Sequence, residues 1–283
     1  MVLPYPELMK LERNFSHSWN ERDLMIYALG LGMPSDPVDE RQLAYVYEER
    51  LAVLPTFLST IVVGRSPVAF AGIDYTTVLH GEIAVTLHKS IPTRGEALVQ
   101  SRIAGAWDKG AGKGAVFRDH SDLYLAGEQA PFASVVNTAF GRSEGGFGGP
   151  REGQPMPHPI PQRDPDRIVT LSTSRQQALL YRQTGDLNPL HVDPASARAA
   201  GFREPILHGL CTFGICQRAV LGEYCGYAAD ALKQIGVRFT GIVYPGDSIR
   251  VEMWRDGEVV SFEAFAVERA QKVIGNGKAV LAE

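Results

Sequence analysis

The chain has 283 residues, of which 45% are hydrophobic and 21% are charged. This is the composition of a globular protein and excludes a chain that is mostly disordered. Its 28 basic and 32 acidic residues give a net charge of −4, so no basic excess is available to hold a nucleic-acid backbone. The length suits two domains better than one.

No segment has the features of an export signal or a membrane span. Residues 1–17 carry prolines and glutamates in place of an apolar run, and the apolar stretches are far shorter than the roughly 18 residues that a spanning helix needs. The three cysteines form no disulfide framework, which favours a reducing compartment. The sequence therefore predicts a soluble cytoplasmic protein with no membrane partner.

The predicted elements of the first half begin with two helices, at residues 21–29 and 39–51. Apolar residues recur at helical spacing in the first of them. Four strands follow, at residues 83–87, 97–107, 115–126 and 134–140.

The second half contains two predicted helices and four predicted strands. One helix starts at Asp193-Pro194, with aspartate as the N-cap and proline at the first helical position, and ends at Gly201. The apolar stretch 210–221 is predicted to form a buried helix. The strands cover residues 235–239, 248–254, 258–269 and 278–282. Together these elements predict an α+β protein with largely antiparallel sheets.

A segment rich in glycine and proline lies at the midpoint of the chain. Residues 141–161 hold six glycines and five prolines in 21 positions, a density that excludes a helix or a central strand. We interpret this segment as a linker, and the alternative is an ordinary surface loop. The predicted organisation is an N-terminal unit at 1–142, a linker at 143–161 and a C-terminal unit at 162–283.

The two halves carry matching patterns, which indicates a duplicated fold. Residues 79–81 and 207–209 both read Leu-His-Gly, and the alternating segment 83–87 matches 235–239. In the second half 25 residues separate the two matches, whereas in the first half Glu82 alone separates them. The sequence therefore predicts a central helix in the second unit that the first unit has lost at the equivalent place.

The most unusual stretch of the sequence is residues 181–194. Glycine and prolines interrupt regular structure there, around Asp186, Asn188 and His191. A rigid loop that presents an acid, an amide and an imidazole is suited to acid–base catalysis near neutral pH. The alternative is ordinary turn chemistry, with one histidine that satisfies a backbone group.

The pattern Gly-Asp-x-Asn-Pro-x-His at 185–191, followed by Pro-Ile-Leu-His-Gly at 205–209, resembles the MaoC-like dehydratases. Within them it resembles hydratase 2, the (3R)-specific enoyl-CoA hydratase. The resemblance extends through Leu-His-Gly-Glu at 79–82 and Gly-Gly-Phe-Gly-Gly at 145–149, and so covers nearly the whole chain. It implies a double hot-dog fold: two antiparallel sheets, each related to a central helix, with the helix reduced or lost in the N-terminal unit. The vacated space would receive the acyl tail.

The resemblance also implies roles for individual residues. Asp186 and His191 match the pair that adds water to a 2-enoyl thioester, Asn188 matches a residue that supports the pair, and Gly209 matches the position whose backbone N–H binds the thioester oxygen. The remaining matches are positions that bind the acyl-CoA substrate: His80, Gly81, Lys109, Leu187, Pro189, Leu190 and Phe239. Lys109 would contact a CoA phosphate, and the alternative is that it is a solvent-exposed lysine in a turn.

These matches predict reversible hydration of trans-2-enoyl-CoA to (3R)-3-hydroxyacyl-CoA at one catalytic site per chain. No metal and no cofactor are expected, because coenzyme A belongs to the substrate, and a homodimer is expected. The alternatives are a 3-hydroxyacyl-ACP dehydratase, a hot-dog thioesterase and a non-catalytic acyl-binding subunit. His208, Cys211 and Cys216 lack the spacing of a zinc finger, so the sequence predicts that the two thiols lie in the core.

Overall fold

The computed structural model describes residues 2–73 and 78–282. Within these residues ten strands form one sheet, in the order β1-β3-β4-β5-β2-β7-β10-β9-β8-β6, with every neighbouring pair antiparallel. In chain order the strands are β1 (Glu12–Trp19), β2 (Val78–Leu87), β3 (Gly95–Asp108), β4 (Ala115–Leu125), β5 (Ala133–Gly141), β6 (Arg167–Ser172), β7 (Leu232–Phe239), β8 (Ser248–Asp256), β9 (Val259–Ala266) and β10 (Gln271–Leu281).

Short helices lie between the strands, and one long helix lies in the second half. In chain order they are α1 (Tyr5–Leu8), α2 (Glu21–Gly30), α3 (Glu40–Leu43), α4 (Leu58–Val62), α5 (Gln177–Tyr181), α6 (Pro194–Ala199) and α7 (Gly209–Tyr224). In α7, every residue from Leu210 to Leu221 is buried. A helix that is buried on every side, including its polar residues Thr212, Gln217 and Arg218, lies at the centre of the core.

The duplication predicted from the sequence is visible in the sheet. Read from its two edges, the sheet has the order β1-β3-β4-β5-β2 and the order β6-β8-β9-β10-β7, which is the same topology written twice. The halves meet where β2 pairs with β7. Ala84 and Gly236, which are equivalent positions in the matched segments, lie directly opposite each other there. The architecture is the α+β double hot-dog fold that the resemblance implied.

The lost helix was predicted at the wrong place. Residues 79–81 lie within β2 and pair with β5, whereas residues 207–209 lead into α7, so the two Leu-His-Gly segments are not structurally equivalent. Of the α-helices between β1 and β2, α4 is the last before β2, as α7 is the last before β7. It has five residues against the 16 of α7, so the helix is reduced in the first unit.

Several element boundaries differ from the predictions. The prediction of a helix at 39–51 is correct only at its start. Asp39 caps α3, which ends after four residues. The chain then turns because Tyr45 is buried and its hydroxyl donates to the carbonyl of Tyr227 at 2.6 Å. The two edge strands, β1 and β6, were not predicted. The other eight strands were predicted and are all present, and most of them are longer than predicted.

The glycine- and proline-rich segment has no helix or strand, and it packs against the sheet. The carboxylate of Asp108, at the end of β3, accepts hydrogen bonds from the N–H groups of Gly146 (2.8 Å) and Gly148 (2.9 Å). Further along, the side chain of Asn276 donates to the carbonyl of His158 at 2.8 Å. The segment is therefore an ordered connection, and the domain boundaries drawn around it remain a prediction. Within the described residues, no helix is both long enough and apolar enough to cross a membrane.

Candidate active site

The loop between α5 and α6 is built from its own polar groups. Asn188 caps a 3-10 turn at Pro189–His191, since its side-chain oxygen accepts from the N–H of Leu190 at 3.1 Å. One carboxylate oxygen of Asp186 accepts from the N–H of Asn188 at 3.2 Å. The second oxygen has no hydrogen-bond partner among the described residues. The loop therefore holds the half-buried Asp186 with one oxygen available to a ligand.

His191 is held in one tautomer. Its Nδ1 lies 2.8 Å from the carbonyl oxygen of Ile206, which can only accept, so the proton sits on Nδ1 and Nε2 is left with a lone pair. The ring is 8% exposed. Burial lowers the pKa of His191 below its ordinary value, while the bond to Ile206 and the charge of Asp186 oppose that shift. The histidine is therefore neutral at neutral pH and can accept a proton.

His208 is a neighbour of this pair that was not predicted from the sequence. Its ring stacks on that of His191, with centroids 3.7 Å apart, and its Nε2 donates to the backbone carbonyl of Asp186 at 3.2 Å. The residue is fully buried. Burial lowers its pKa, and the neighbouring His191 lowers it further. The sequence feature that could have pointed to His208 is its position directly before Gly209.

Asp186, His191 and His208 are the described residues that could hold a metal ion. One possible ligand atom from each lies within 4.8 Å of the others. Each histidine donates one ring N–H to a backbone carbonyl, which leaves Nε2 of His191 and Nδ1 of His208 with lone pairs. Such bonds also orient the histidines of metal sites, so the geometry allows either a bound water or a metal ion between these groups. The two thiols Cys211 and Cys216 are buried, as predicted.

Gly209 is the first residue of α7. Within the described part of the chain no acceptor pairs with its N–H, as is usual for the first turn of a helix. The N-terminus of a 16-residue helix carries positive partial charge, which favours a developing negative charge there. A Cβ at this position would lie 3.2 Å from the ring of Phe239. Glycine therefore leaves room between the helix and β7.

The first unit contributes His80 and Gly81. The pairing of β2 with β5 shifts register between His80 and Glu82, which is a β-bulge at Gly81. The ring of His80 lies 4.8 Å from that of Phe239, and the charge of Asp186 acts on it. The structure therefore brings His80, Gly81 and Phe239 together with the loop.

Lys109 lies apart from this cluster. It follows β3, whereas His80 is on β2, and β4 and β5 lie between those two strands. Three strand spacings of about 4.8 Å separate the two positions by roughly 15 Å. The side chains of Lys113 and Arg151 also approach Gly110, beside Lys109. A local basic group thus lies at a distance from the acid–base pair.

The three remaining predicted residues lie on the loop itself. Leu187 is 63% exposed, Pro189 is exposed and Leu190 is half-buried. Their predicted part in substrate binding stays a prediction.

A cavity of about 460 Å³ lies at the opposite end of β2 and β7 from His191. Leu87, the equivalent of Phe239 in the matched segments, lines it together with Leu232 and Lys233. The first half of the sequence has no second Gly-Asp-x-Asn-Pro-x-His loop. The chain therefore carries one copy of the acid–base loop.

Known proteins are similar to this chain over most of its length. The MaoC like domain model matches residues 158–277, and the MFE-2 hydratase 2 N-terminal domain model matches residues 17–143. An enoyl-CoA hydratase of Mycobacterium tuberculosis is 38% identical, over 92% of this chain and 92% of that protein. The peroxisomal multifunctional enzyme type 2 of Drosophila melanogaster is 35% identical over 90% of this chain, which spans only 44% of that protein. The crystal structure of a MaoC-like dehydratase from Phytophthora capsici, 28% identical, superposes with a TM-score of 0.89 and covers 99% of this chain and 98% of that one.

Proposed function

Because the chain belongs to the MaoC-like dehydratases of the hydratase 2 type, we propose that it hydrates trans-2-enoyl-CoA reversibly to (3R)-3-hydroxyacyl-CoA. The observation that carries this proposal is the cluster of the Asp186 carboxylate with the imidazoles of His191 and His208, because His208 directly precedes Gly209, whose N–H begins helix α7. An acid–base pair and an oxyanion donor are the two parts that addition of water to an unsaturated thioester requires.

The proposed chemistry uses one water molecule held between Asp186 and His191. Its oxygen adds to C3 of the substrate while one of its protons passes to the pair. The group that accepts this proton returns one to C2, so the pair ends each cycle in its starting protonation state. Both residues can act as acceptors: one oxygen of Asp186 has no hydrogen-bond partner among the described residues, and Nε2 of His191 carries a lone pair.

Negative charge develops on the thioester oxygen as water adds. The N–H of Gly209, at the positive end of α7, is the proposed donor to that oxygen. A single donor of this kind is typically worth about 2.7–4 kcal/mol of transition-state stabilisation. The narrow space between Gly209 and Phe239 would hold the thioester close to the donor.

Coenzyme A is the proposed carrier because of the basic group around Lys109. The pantetheine arm separates the thioester from the phosphates of CoA, and Lys109, Lys113 and Arg151 lie around the turn between β3 and β4, at a distance from the pair. Relative turnover of the CoA thioester and of the acyl-carrier-protein thioester distinguishes the two carriers. No cofactor beyond the substrate is part of the proposal.

The test is incubation of the purified chain with crotonyl-CoA and with longer 2-enoyl-CoAs. We expect the enoyl absorbance to fall and the product to be (3R)-3-hydroxyacyl-CoA. Release of free CoA would instead support a thioesterase, and turnover of the acyl-carrier-protein substrate alone would support the synthetic dehydratase. A (3S) product would refute the proposal.

A further inference from the structure

The cavity of about 460 Å³ lies where a second copy of the active site would lie. Ala84 and Gly236 are equivalent residues that pair with each other across antiparallel strands, so an approximate two-fold axis passes between them and relates the two units. Rotation about this axis exchanges the two ends of the β2–β7 pair. The end that holds His80 and Phe239 is thereby exchanged with the end that borders the cavity.

A β-bulge that occurs in both units shows which residues correspond. The pairing of β2 with β5 has one extra residue at Gly81, and the pairing of β7 with β10 has one extra residue at Lys233. Each bulge lies two residues before the segment that matches in the two units. Leu232 therefore corresponds to His80, and it is 1% exposed and lines the cavity. An apolar side chain thus replaces the imidazole.

The start of the shortened helix corresponds as well. Val53-Leu54 leads into the 3-10 turn Pro55–Phe57 and α4, as Ile206-Leu207 leads into α7. The side chain of Val53 lines the cavity, whereas the carbonyl of Ile206 holds His191 in the active site. Two strands and one helix start therefore place the cavity at the position equivalent to the active site.

The oxyanion donor of this second position is already occupied. Thr56 lies three residues after Val53, as Gly209 lies three residues after Ile206. The N–H of Thr56 donates to Oε1 of Gln217 on α7 at 2.7 Å. Thr56 and Gln217 are both fully buried, so this bond is closed to a ligand. The second position therefore lacks a donor for a thioester oxygen, and the first half of the sequence also lacks the acid–base loop.

The cavity keeps an apolar lining and a charged mouth. Its volume is within the range of about 300–1,000 Å³ that is usual for small-molecule sites. Lys233 is exposed and has no ion pair among the described residues, whereas Lys89 pairs with Glu128 at 2.7 Å. Asp230 and His88 are exposed at the same mouth. The apolar lining residues are Leu51, Val53, Leu87, Ile91 and Leu232.

The core separates the cavity from the active site. Between the two ends of the β2–β7 pair the inward side chains are Ile83, Val85, Ile235 and Val237, and they belong to one core cluster. Val237, the most exposed of the four, is 5% exposed. Within the described part of the chain, no open channel therefore follows these strands from one site to the other. A ligand would enter the cavity through its own mouth.

We propose that this cavity binds a second ligand, an acyl chain with an anionic head, and does not turn it over. The chain would lie against the leucines, and the head would lie beside Lys233. A free fatty acid and an acyl-CoA share this chemistry. The choice of an acyl ligand rests on the proposed function, because the counterpart of an acyl-thioester site is shaped for the same class of molecule. The correspondence of the two positions does not depend on it.

Isothermal titration with decanoate and with decanoyl-CoA tests the site. Leu87→Trp fills the cavity from a half-buried position, and we expect it to remove one binding site per chain. Leu171→Trp is the matched control, since Leu171 is also a half-buried strand leucine and does not line the cavity. Loss of a decanoate site assigns a fatty acid, and loss of a decanoyl-CoA site alone assigns the thioester. The same number of sites in both variants, for both ligands, would overturn the proposal.

Charge reversal at Lys233 tests the anionic head. The residue is exposed, so Lys233→Glu keeps the test available if Leu87→Trp does not fold. We expect affinity at this site to fall about tenfold, as for the loss of one charged contact. Lys10→Glu is the control, because it makes the same change at an exposed lysine that does not line the cavity. Equal affinities in the two variants would overturn the proposal.

Turnover separates this proposal from the proposed function. Leu87→Trp and Lys233→Glu should both leave the hydration of crotonyl-CoA unchanged. A chain that binds decanoate in the cavity and fails to hydrate enoyl-CoA would refute the proposed function and leave the second site standing. If Leu87→Trp slows the hydration of a long 2-enoyl-CoA and removes no separate binding site, the tail of the substrate itself fills the cavity, and the proposal is overturned.

Discussion

Asp186 and His191 combine two environments within one loop. His191 is buried, so its protonated ring loses a proton readily. Asp186 is half-buried and keeps one carboxylate oxygen available to a ligand. The backbone carbonyl of Ile206 decides which nitrogen of His191 is free. A neutral base beside an anionic carboxylate is the state in which a water molecule can be held and deprotonated near neutral pH.

Removal of either member of the pair should abolish turnover without unfolding the chain. We expect Asp186→Asn and His191→Gln each to lower kcat by about 10²–10⁴-fold, the usual value of a general acid or base. Thermal unfolding should stay within a few degrees of the unmodified protein. The controls are Asp164→Asn, at an exposed position, and His88→Gln, in the distant cavity. Unchanged turnover in either test variant would contradict the assigned role.

The burial of His191 and His208 predicts a pH dependence. Because the folded-state pKa of both is lowered, the folded chain binds fewer protons than the unfolded chain below the ordinary histidine value of about 6.5. Their contribution to stability is therefore complete above pH 6.5 and is lost as the pH falls through the lowered values. The acid limb of kcat should likewise lie below pH 6.5, and a midpoint above pH 7 would contradict the account.

At the scale of single residues the sequence predicted what a contiguous motif can carry. Asp186, Asn188 and His191 fall within seven positions of one loop. His208 joins them through ring stacking on His191 and a hydrogen bond to the backbone carbonyl of Asp186. Such contacts depend on the tertiary fold, so a single sequence does not reveal them.

Helix α7 shows how an element contributes to the site. Its apolar sequence buries it, which fixes its first N–H groups beside β7, and glycine at the first position keeps that approach open. The sequence predicted this helix and α6 well, because their apolar runs and caps are strong local signals. It missed β1 and β6, because residues of these edge strands are exposed or half-exposed almost throughout and leave no clear buried face in the pattern.

A side chain at the start of α7 should disturb the proposed oxyanion contact. In Gly209→Ala the new methyl group would lie 3.2 Å from the Phe239 ring, so helix and strand must separate slightly. We expect kcat to fall at least about tenfold, because a weakened contact loses part of the roughly 2.7–4 kcal/mol that one oxyanion donor typically contributes. Adding Phe239→Leu should restore part of kcat, measured by the same enoyl absorbance. No loss in the single variant would contradict the predicted position of the thioester.

At the scale of the whole molecule the two repeats form one body. The sheet runs unbroken from β1 to β6 through the β2–β7 pair, and one core cluster includes Val85, Ile235 and Phe213. The sequence predicted two related units, since matching patterns survive in both. It did not predict the seam, because strand pairing between units leaves no local pattern in either.

The close approach at this seam predicts a stability effect. A Cβ at Gly236 would lie 2.9 Å from the Cβ of Ala84, its partner across the junction. We expect Gly236→Val to lower the free energy of unfolding by about 1–3 kcal/mol through overpacking, measured by urea denaturation. Gln234→Val is the control, because it places the same side chain on the same face of the same strand. An equal loss in both variants would show that the junction is not specially tight.

The most direct test of the account is the stereochemistry of hydration by the intact chain. With trans-2-enoyl-CoA as substrate, chiral analysis of the product should give (3R)-3-hydroxyacyl-CoA, and Asp186→Asn should give none. A (3S) product, or hydration that persists without Asp186, would contradict the account.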